Sequence, residues 1–448
     1  MTRKVPCIMT IAGSDSGGGA GVAADLKTFS ALGVFGTCVI TAITAQNTQG
    51  VYEIFPTPPE VVERQIEVVL EDIGVDAVKT GMLHSRETMN VVSNAIRKHD
   101  LKAVVDPVLK AGTGSSLVKE GDLAGLIDLM IPCAAVLTPN KQEAEMISGV
   151  QIENVDDMKK AAEKISNLGA KAVVVKGGHL KASNVYDVLY CDGDFRTFEK
   201  PRIEVEPHGG GCVFSSAIAA LLALGQDVLE AVDKAEIFIE ESLRNALRVG
   251  HGRSPANPSA HLYNEAERFD VIRNVVAAAE MIENNSGFLP WIAEVGTQVG
   301  MAVSHAVNRD DVAAVEGRIV KFRRAARPAG CVKFGVSSHI ANMILAVMKY
   351  NAEARAALNL HYDQRLVEAF RKAGFTISSF DRSVEPEDVK QVEGGTLAWG
   401  IEEAIRRVGR VPDAIYDLGE MGKEPMIRIL GTSATDAAKK ALEALRRL

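Results

Sequence analysis

Three glycines and a cysteine in the segment 207–225, PHGGGCVFSSAIAALLALG, have the residue types and the order needed to bind and transfer an anionic group. The apolar run after Cys212 predicts a helix that begins where Gly209, Gly210 and Gly211 end. Backbone N–H groups at a helix N-terminus point outward with partial positive charge, and glycines leave them accessible. A cysteine at such a position has a lowered pKa, so its thiolate can accept a proton from an attacking hydroxyl. A buried cysteine at a helix cap is an equally good interpretation of this segment alone.

A second glycine-rich segment, IAGSDSGGGAGVAADLKT at 11–28, lies between a predicted strand and a predicted helix. Glycines in that place let the backbone approach a ligand closely. The segment lacks the GK[ST] ending of a Walker loop and fits GxGxxG poorly. A ligand-contacting loop and a plain tight turn therefore both remain open.

Short apolar runs alternate with longer amphipathic runs from the start of the chain to about residue 245. This alternation predicts an α/β domain, with a mostly parallel sheet and helices on both faces. In such sheets, ligands bind where the strands end. We therefore expect one shared face for the six polar residues at the predicted strand ends. They are Asp15, Gln46, Lys79, Asp106, Asn140 and Lys176.

The stretch 251–266 contains two prolines, several small polar residues and little periodicity, and we predict that it connects two domains. A first domain would occupy 1–250 and a second 267–448. The second half also has strand-like and helix-like runs, which predict a separate layered α/β domain. Its strand order cannot be derived from the pattern.

The composition is that of an ordinary globular enzyme. The 448 residues carry a formal net charge of −8, which argues against a basic nucleic-acid-binding surface. Six scattered cysteines without a CxxC pair argue against a zinc site or a disulfide framework and fit a reducing cytoplasm. No segment has the length of a membrane span or the pattern of a signal peptide. We therefore expect a cytoplasmic protein that acts on small molecules.

Seven motifs appear in the order found in the hydroxymethylpyrimidine/phosphomethylpyrimidine kinase family, which belongs to the ribokinase-like superfamily. They read GSDSGGGAGVAADLKT, TAITAQNTQGV, AVKTGML, DPVL, LTPNKQEAE, VVKGGH and HGGGC, and they span about 5–250. The first domain thus resembles this family. The resemblance implies ATP- and Mg²⁺-dependent phosphorylation of 4-amino-5-hydroxymethyl-2-methylpyrimidine and then of its monophosphate. It also implies that copies of the chain associate.

The resemblance assigns roles on the substrate side of that site. Cys212 matches the position of the family's catalytic cysteine, and the glycines 209–211 match its anion hole for the transferred phosphoryl group. Gln46 matches the residue that hydrogen-bonds the aminopyrimidine. Gly13 and Asp15 lie in the segment that lines the substrate pocket. His208, just before the glycine run, is interpreted as structural.

On the nucleotide side, the resemblance implies that Asn140 and Glu143 form an NxxE pair that orders magnesium, usually through water. Asp106 would lie near the phosphates and the metal, and Lys176 precedes the nucleotide-side loop KGGH. Taken without the resemblance, Asn140 is as well explained as a helix cap, with Glu143 as its capping partner.

Two departures from the family pattern concern phosphate contacts. Gly210 stands where the family commonly has threonine, so a hydroxyl is lost while the backbone donors remain. After DPVL the sequence reads KAGTGSS, which displaces Lys110 and lacks the family's aspartate.

The second half resembles the archaeal-type thiamine-phosphate synthase domain through EVGTQV, DVAAVEGRI, FGVSSHIA, FDRSVEP and GKEPMIRILG. That family joins hydroxymethylpyrimidine diphosphate to hydroxyethylthiazole phosphate and releases pyrophosphate. The resemblance leads us to predict Arg318 as the group that binds the leaving diphosphate and His339 as the group that donates a hydrogen bond or proton to it. Arg382 and Lys423 are predicted phosphate contacts. Scattered surface charge explains the spacing of these residues equally well.

Two other functions remain open at this point. The first domain is also compatible with a pyridoxal or sugar kinase of the same fold, although Gln46 and Cys212 argue against a sugar kinase. The second domain type also occurs as a thiamine-phosphate sensor in regulators, which carry a DNA-binding domain that this sequence lacks.

Overall fold

The computed structural model describes residues 5–109, 122–178, 180, 183–203, 205, 207–386, 395–420 and 422–448. The chain divides into two compact units, Met1–Leu262 and Tyr263–Leu448. The segment KAGTGSS, which begins at Lys110 and departs from the family pattern, lies outside the described residues.

The first unit is built on an eight-stranded sheet in the order β10-β9-β8-β7-β6-β5-β1-β2. All neighbours from β8 to β2 run parallel, and β9 and β10 extend one edge antiparallel. Two short pairs, β3 with β4 and β11 with β12, lie outside this sheet. The strands are β1 Cys7–Ala12, β2 Phe35–Ile40, β3 Ala42–Gln46, β4 Val51–Pro56, β5 Ala77–Thr80, β6 Ala103–Val105, β7 Ala134–Leu137, β8 Ala172–Lys176, β9 Asn184–Cys191, β10 Asp194–Pro201, β11 Pro207–His208 and β12 Ser254–Pro255.

Helices cover both faces of this sheet, because the central strands are apolar on both sides. Along β6, Ala103 and Val105 join one apolar cluster, while Val104 joins the cluster formed with α7 on the other face. The helices of this unit are α1 Gly21–Ala31, α2 Pro59–Asp72, α3 Arg86–Lys98, α4 Asp122–Gly125, α5 Lys141–Ser148, α6 Val155–Ser166, α7 Gly210–Ala223 and α8 Val228–Arg244. The predicted βαβ architecture is thus present.

The segment 251–266, which the sequence predicts as a connection, is partly structured. Strand β12 within it pairs with β11, directly before the glycine run of α7. Helix α9, Ala260–Glu283, begins inside the segment and continues into the second unit.

The second unit contains a seven-stranded sheet in the order β17-β14-β13-β18-β21-β20-β19, antiparallel except for the pair β19–β20. Its strands are β13 Val299–Ala302, β14 Val312–Val315, β15 Ile319–Phe322, β16 Ala325–Pro328, β17 Val332–Phe334, β18 Ala356–His361, β19 Ile377–Ser379, β20 Ala414–Asp417 and β21 Met426–Gly431, with β15 and β16 forming a separate hairpin. The helices after α9 are α10 Ser338–Met348, α11 Gln364–Lys372, α12 Gly395–Val408 and α13 Ala434–Leu445.

The core of the second unit lies on both faces of its sheet. Leu358 of β18 packs in one apolar cluster and its neighbour Ala357 in the other. Within the described parts of both units, no helix has the length and apolar character to cross a bilayer.

Candidate active sites

The head of α7 is held against the glycine-rich segment that follows β1. Gly209 caps the helix with φ 76° and ψ 7°, a left-handed conformation that disfavours any residue with a β-carbon. A β-carbon added there would lie 1.8 Å from the carbonyl oxygen of Gly19. Glycine at 209 therefore allows the two glycine-rich loops to touch, and the first backbone N–H groups of α7 lack a side-chain cap.

Asp15 organises the loop that packs against this helix end. Its carboxylate accepts the backbone N–H groups of Gly17 at 2.8 Å, Gly19 at 3.0 Å and Ala20 at 2.8 Å. Burial works to raise the pKa of Asp15, but the hydrogen bonds from His208 and the backbone outweigh it and lower the pKa. Asp15 is thus an ionised anchor of the loop.

His208 joins this anchor to the predicted substrate contact. Its Nε2 lies 2.9 Å from Oδ2 of Asp15 and 3.2 Å from Nε2 of Gln46, and the residue is buried. Gln46 ends β3, and its backbone exchanges hydrogen bonds with the Ser16 hydroxyl. The imidazole that the sequence suggested was merely structural therefore touches two of the predicted substrate-side residues. In the sequence, the position of His208 directly before the glycine run was the indication that it belongs to the site.

Lys176, at the end of β8, faces the head of α7 from the nucleotide side. Its ammonium group lies 3.1 Å from Oδ1 of Asp106, which is buried after β6. A β-carbon at Gly211 would lie 3.2 Å from Lys176 Nζ and 3.7 Å from Oδ2 of Asp106. Burial works to lower the pKa of Lys176, but Asp106 and Glu143 outweigh it and keep the amine charged. A cation therefore stands beside the helix end that would receive a phosphoryl group.

Asn140 and Glu143 form a capping box at the start of α5. Glu143 N–H donates to the Asn140 side chain at 3.0 Å, and Asn140 N–H donates to Oε2 of Glu143 at 2.8 Å. Burial raises the pKa of Glu143 to about 7, while Lys176 opposes that rise and the Asp106 charge adds to it. Asn140 and Glu143 therefore act as a helix cap, as the sequence alone also allowed. The Glu143 carboxylate in addition interacts with the charges of Lys176 and Asp106.

This donor set fits magnesium held mainly through water and phosphate oxygens. Among the described residues, no three His, Cys, Asp or Glu side chains are grouped to hold a metal by themselves. Mg²⁺ commonly uses only one or two carboxylates, together with waters and substrate phosphates. Two buried carboxylates, Asp106 and Glu143, both interact with Lys176, and their mutual repulsion contributes to the raised pKa of Glu143. A divalent cation would relieve that repulsion.

Cys212 lies half-buried in the first turn of α7, above a buried ion pair. Lys79 is fully buried and lies 2.9 Å from each carboxylate oxygen of Asp25. Burial raises the pKa of Cys212 to about 11, with Asp25 and Asp106 adding to the rise and Lys79 and the Gly21 N–H opposing it. The expectation of a lowered pKa for this cysteine is wrong. Desolvation and two carboxylates outweigh the helix end and the lysine.

In the second unit, two arginines converge on one aspartate. Arg382 Nε donates to Oδ1 of Asp417 at 2.7 Å, and Arg428 Nη1 donates to the other oxygen. All three side chains are buried, and the Gly419 N–H adds a further donor to Asp417 at 2.9 Å. The sequence signal was Arg428, the only charged residue in the apolar strand MIRILG. A buried charge needs an oppositely charged partner, which here is Asp417.

The predicted pair of Arg318 and His339 belongs to the same cationic group. His339 stands at the exposed start of α10, and its pKa is lowered by burial, Arg428, Arg318 and Arg382, in that order. The imidazole is therefore neutral at pH 7. This also brings Arg382 together with the two residues predicted to act on diphosphate.

The guanidinium of Arg318 is held by the loop before β13. Its Nη1 donates to the carbonyl of Val295, while Glu424 accepts the N–H groups of Glu294 at 2.9 Å and Val295 at 3.3 Å. Lys423 is exposed beside Glu424, and its described hydrogen bonds are backbone bonds with Glu420. The described contacts thus join Arg318 to this loop but do not bring Lys423 to the arginines.

In the first unit, the described contacts join Asp15, Gln46 and His208 on one side of the α7 start, and Lys176, Asp106 and Glu143 on another. The residues that sequence reasoning undervalued are polar groups within apolar runs. They are Asp25, Lys79, His208, Asp417 and Arg428.

Comparison with known proteins identifies a family for each half of the chain. The profile of a family described as phosphomethylpyrimidine kinase matches residues 15–257, and one described as thiamine-phosphate synthase ThiN matches residues 274–443. The chain is 36% identical over 435 residues to the bifunctional thiamine biosynthesis protein ThiDN of Methanocaldococcus jannaschii, with 97% of each chain covered. It is 42% identical over 259 residues to a hydroxymethylpyrimidine/phosphomethylpyrimidine kinase of Bacillus subtilis, covering 57% of this chain and 96% of that protein.

Solved structures confirm the fold predicted for the first unit. A Bacillus subtilis pyridoxal kinase in an ADP complex aligns with a TM-score of 0.54 at 36% identity, covering 58% of this chain and 100% of that one. A Staphylococcus aureus pyridoxal kinase in complex with AMP-PCP and pyridoxal aligns with a TM-score of 0.54 at 34% identity, covering 58% of this chain and 95% of that one.

Proposed function

This chain belongs to the family of bifunctional thiamine biosynthesis proteins that carry a phosphomethylpyrimidine kinase followed by a ThiN-type thiamine-phosphate synthase, and on that premise we propose how its residues perform the two activities. The protein is an ATP-dependent phosphotransferase. It phosphorylates hydroxymethylpyrimidine and its monophosphate, and it couples the resulting diphosphate to hydroxyethylthiazole phosphate to form thiamine phosphate and pyrophosphate.

The observation that carries the kinase assignment is the convergence at the head of α7. The start of α7 has no side-chain cap, Gly211 lies close to Lys176 and Asp106, and Gly209 packs against the loop that Asp15 anchors. Such a helix end binds the transferred phosphoryl group and stabilises its charge. Lys176 neutralises further charge on the phosphates. Magnesium, when held near Asp106 and Glu143, would offset the charge of the phosphate oxygens.

Cys212 takes the hydroxyl proton in this proposal. Only the thiolate form of Cys212 can accept this proton, since the resting thiol already carries one. The thiol first loses its own proton to solvent, and the neighbouring Lys79 ammonium stabilises the resulting thiolate. As the substrate oxygen bonds to phosphorus and the bond to the ADP oxygen breaks, the hydroxyl proton passes to Sγ and restores the thiol. The raised pKa of Cys212 makes the thiolate scarce at pH 7 but a stronger base once it has formed.

On the substrate side, we propose that Gln46 hydrogen-bonds the aminopyrimidine and that Gly13 and Asp15 shape the pocket wall. Gly13 lies against Met82, since a β-carbon at Gly13 would meet the Met82 side chain at 3.0 Å. Asp15 acts through the loop that it anchors and through His208. This pocket would recognise an amino-substituted ring by hydrogen bonds.

In the second unit, the group formed by Arg318, Arg382 and His339 supports diphosphate binding. The N–H groups of an arginine guanidinium match the spacing of phosphate oxygens. They would therefore stabilise the negative charge that develops on the leaving diphosphate. His339, neutral at rest, would donate a hydrogen bond to the same group. Lys423 remains a predicted phosphate contact of lesser support, because it stands in an exposed turn.

One experiment tests both assignments. Purified protein receives hydroxymethylpyrimidine, ATP and Mg²⁺, and mass spectrometry follows the mono- and diphosphates; thiazole phosphate is then added. We expect thiamine phosphate and pyrophosphate. Pyridoxal and ribose are tested in parallel, because the structural neighbours include pyridoxal kinases. Phosphorylation of either one without the pyrimidine would refute the kinase specificity. Tight thiamine-phosphate binding without product would favour a sensor.

Two further expectations stand as predictions beside these. All six cysteines are free, as a protein of the reducing cytoplasm would have them. Association of copies of the chain, which the kinase resemblance implies, is measured by light scattering of the purified protein.

A further inference from the structure

The turn that follows β8 adjoins the side of the kinase site that we propose for the nucleotide. It begins directly after Lys176, whose ammonium group reaches Asp106, and the Leu180 N–H closes it on the Gly177 carbonyl at 2.9 Å. The backbone of Lys176 is fixed as well, because its N–H donates to the Pro139 carbonyl at 2.9 Å. The position of Lys176 therefore depends on how firmly Gly177 is held.

Asp187 of β9 holds Gly177. Its Oδ1 accepts the Gly177 N–H at 2.7 Å, and only 7% of Asp187 is exposed. The approach is close, since a β-carbon at Gly177 would lie 1.9 Å from the Tyr186 carbonyl oxygen. Asp187 also pairs in register with Lys176 across β8 and β9. One buried carboxylate thus fixes the residue that follows the site lysine.

Asp187 is itself fixed by a buried charge pair. Lys200 of β10 lies 3.5 Å from Oδ2 of Asp187 and also bonds the carboxylate of Glu236 on α8. Both partners are largely buried, so their hold on Asp187 is little screened by solvent. Strands β9 and β10 and helix α8 therefore act together on the turn.

The other side of the turn is held by Arg202, just beyond β10. Its guanidinium donates to the Gly178 carbonyl at 2.9 Å and to the Leu180 carbonyl at 2.7 Å. Asp187 thus binds the N–H at the start of the turn, and Arg202 binds two carbonyls further along it. Such double support is expected where backbone geometry must be exact to a fraction of an ångström.

We propose that Asp187 is a positioning residue for the nucleotide: by holding the Gly177 N–H it sets Lys176 and the adjoining Gly177 and Gly178 against the phosphates of ATP, without itself touching a substrate. The proposal rests on the proposed kinase function. The proposal predicts different effects on the binding of ATP and of the pyrimidine. Asp187 contacts the turn after Lys176, whereas Asp15 and Gln46 lie in the loops that we propose for the pyrimidine.

The test uses the full chain and the variants Asp187→Ala and Asp187→Asn. In Asp187→Ala the pair Lys200–Glu236 remains, so no charge is left alone, but Gly177 loses its acceptor. We expect the KM for ATP to rise about tenfold, with the KM for the pyrimidine unchanged within about twofold. Asp187→Asn keeps an acceptor but loses attraction to Lys200, and its KM for ATP should fall between wild type and Asp187→Ala. Asp194→Ala, an exposed acid on β10, is the matched control with wild-type constants.

Each outcome decides something. An inactive wild-type protein would refute the proposed function rather than the role of Asp187. Active wild type with an unchanged KM for ATP in Asp187→Ala, or a fall in kcat alone, would show a merely structural role. Equal rises in both KM values would refute positioning of the nucleotide. If Asp187→Ala does not fold, a wild-type KM for ATP in Asp187→Asn would overturn the proposal.

Discussion

Cys212 illustrates how a residue's neighbours decide its chemistry. The end of α7 and the Lys79 ammonium favour a thiolate, but burial and the carboxylates of Asp25 and Asp106 favour the thiol, and the thiol is the resting form. Little of the thiolate, which is the base form, is therefore present at neutral pH. This suits phosphoryl transfer, in which positioning and charge neutralisation do most of the work.

The resting thiol predicts slow alkylation of Cys212. With a pKa of about 11, its thiolate fraction at pH 7 is about 10⁻⁴, roughly a hundredfold below that of an ordinary cysteine. We expect labelling by iodoacetamide to lag behind that of the exposed Cys38 and Cys331 and to accelerate about tenfold per pH unit up to pH 10. Peptide mass spectrometry over a pH series measures these rates. Rapid labelling of Cys212 at pH 7 would contradict the assignment of a resting thiol.

Asp417 has the corresponding role in the second unit, since it is the shared counter-charge of Arg382 and Arg428. Asp417→Asn removes that charge and leaves two buried guanidinium groups facing each other, which costs several kcal/mol in comparable sites. We expect synthase kcat/KM to fall by at least about tenfold while the kinase constants stay at wild type.

Coupled assays of supplied pyrimidine diphosphate with thiazole phosphate measure that loss. Asp270→Asn, an exposed acid on α9, is the control. A wild-type synthase rate in Asp417→Asn would show that the two arginines need no shared anchor.

At the scale of elements, the kinase site is a contact between two glycine-rich loops. The loop after β1 is shaped by Asp15, and the head of α7 fits against it only because Gly209 is left-handed and lacks a side chain. The strand pair β11–β12 lies directly before this helix end and ties His208 to a segment near the end of the first unit. The helix N-terminus is thus positioned from outside the main sheet.

Neighbouring glycines in this run should respond in opposite ways to substitution. Gly209→Ala places a β-carbon in the Gly19 carbonyl, so we expect at least about a hundredfold loss of kinase turnover and a lower Tm. A β-carbon at Gly210 would lie 3.7 Å from its nearest neighbouring atom. Gly210→Ala should therefore keep kinase activity and raise the free energy of unfolding by about 0.4–1 kcal/mol. Kinase assays and thermal melts of the two variants provide the comparison. Equal effects in both variants would mean that the loop contact does not control the site.

At the scale of the whole molecule, each compact unit contains one complete set of predicted residues. Cys212, which we propose as the catalytic base, the glycines and the charged group around Lys176 belong to the first unit, and the arginines with His339 belong to the second. Each reaction can therefore be impaired without loss of the other.

That division predicts separable activities in the full chain. Cys212→Ala should lose about a hundredfold or more in kinase turnover and retain coupling of supplied pyrimidine diphosphate. Arg318→Ala and His339→Ala should show the reverse pattern. Product analysis of both reactions on each purified variant measures this, with circular dichroism to verify folding. Parallel loss of both activities in all three folded variants would contradict separate sites.

Much of this protein follows from its sequence. The alternation of apolar and amphipathic runs predicts the parallel sheet of the first unit, because strands buried on both faces need apolar residues throughout. The glycine run before Cys212, the NxxE pair and the ordered motifs predict the kinase. In the second unit, the pattern predicts a helix near 340–358, but that helix ends at Met348 and β18 begins at Ala356, because this apolar strand has no alternation to distinguish it from a buried helix.

Only the tertiary structure decided which polar groups meet. It placed Lys79 on Asp25 below the cysteine, His208 between Asp15 and Gln46, and two arginines on Asp417. Partners in these contacts are up to 193 residues apart in the chain. No local pattern reports such distances, yet burial and the neighbouring charges set the pKa of a thiol. For that reason the sequence identified Cys212, and the fold determined that it rests as a thiol.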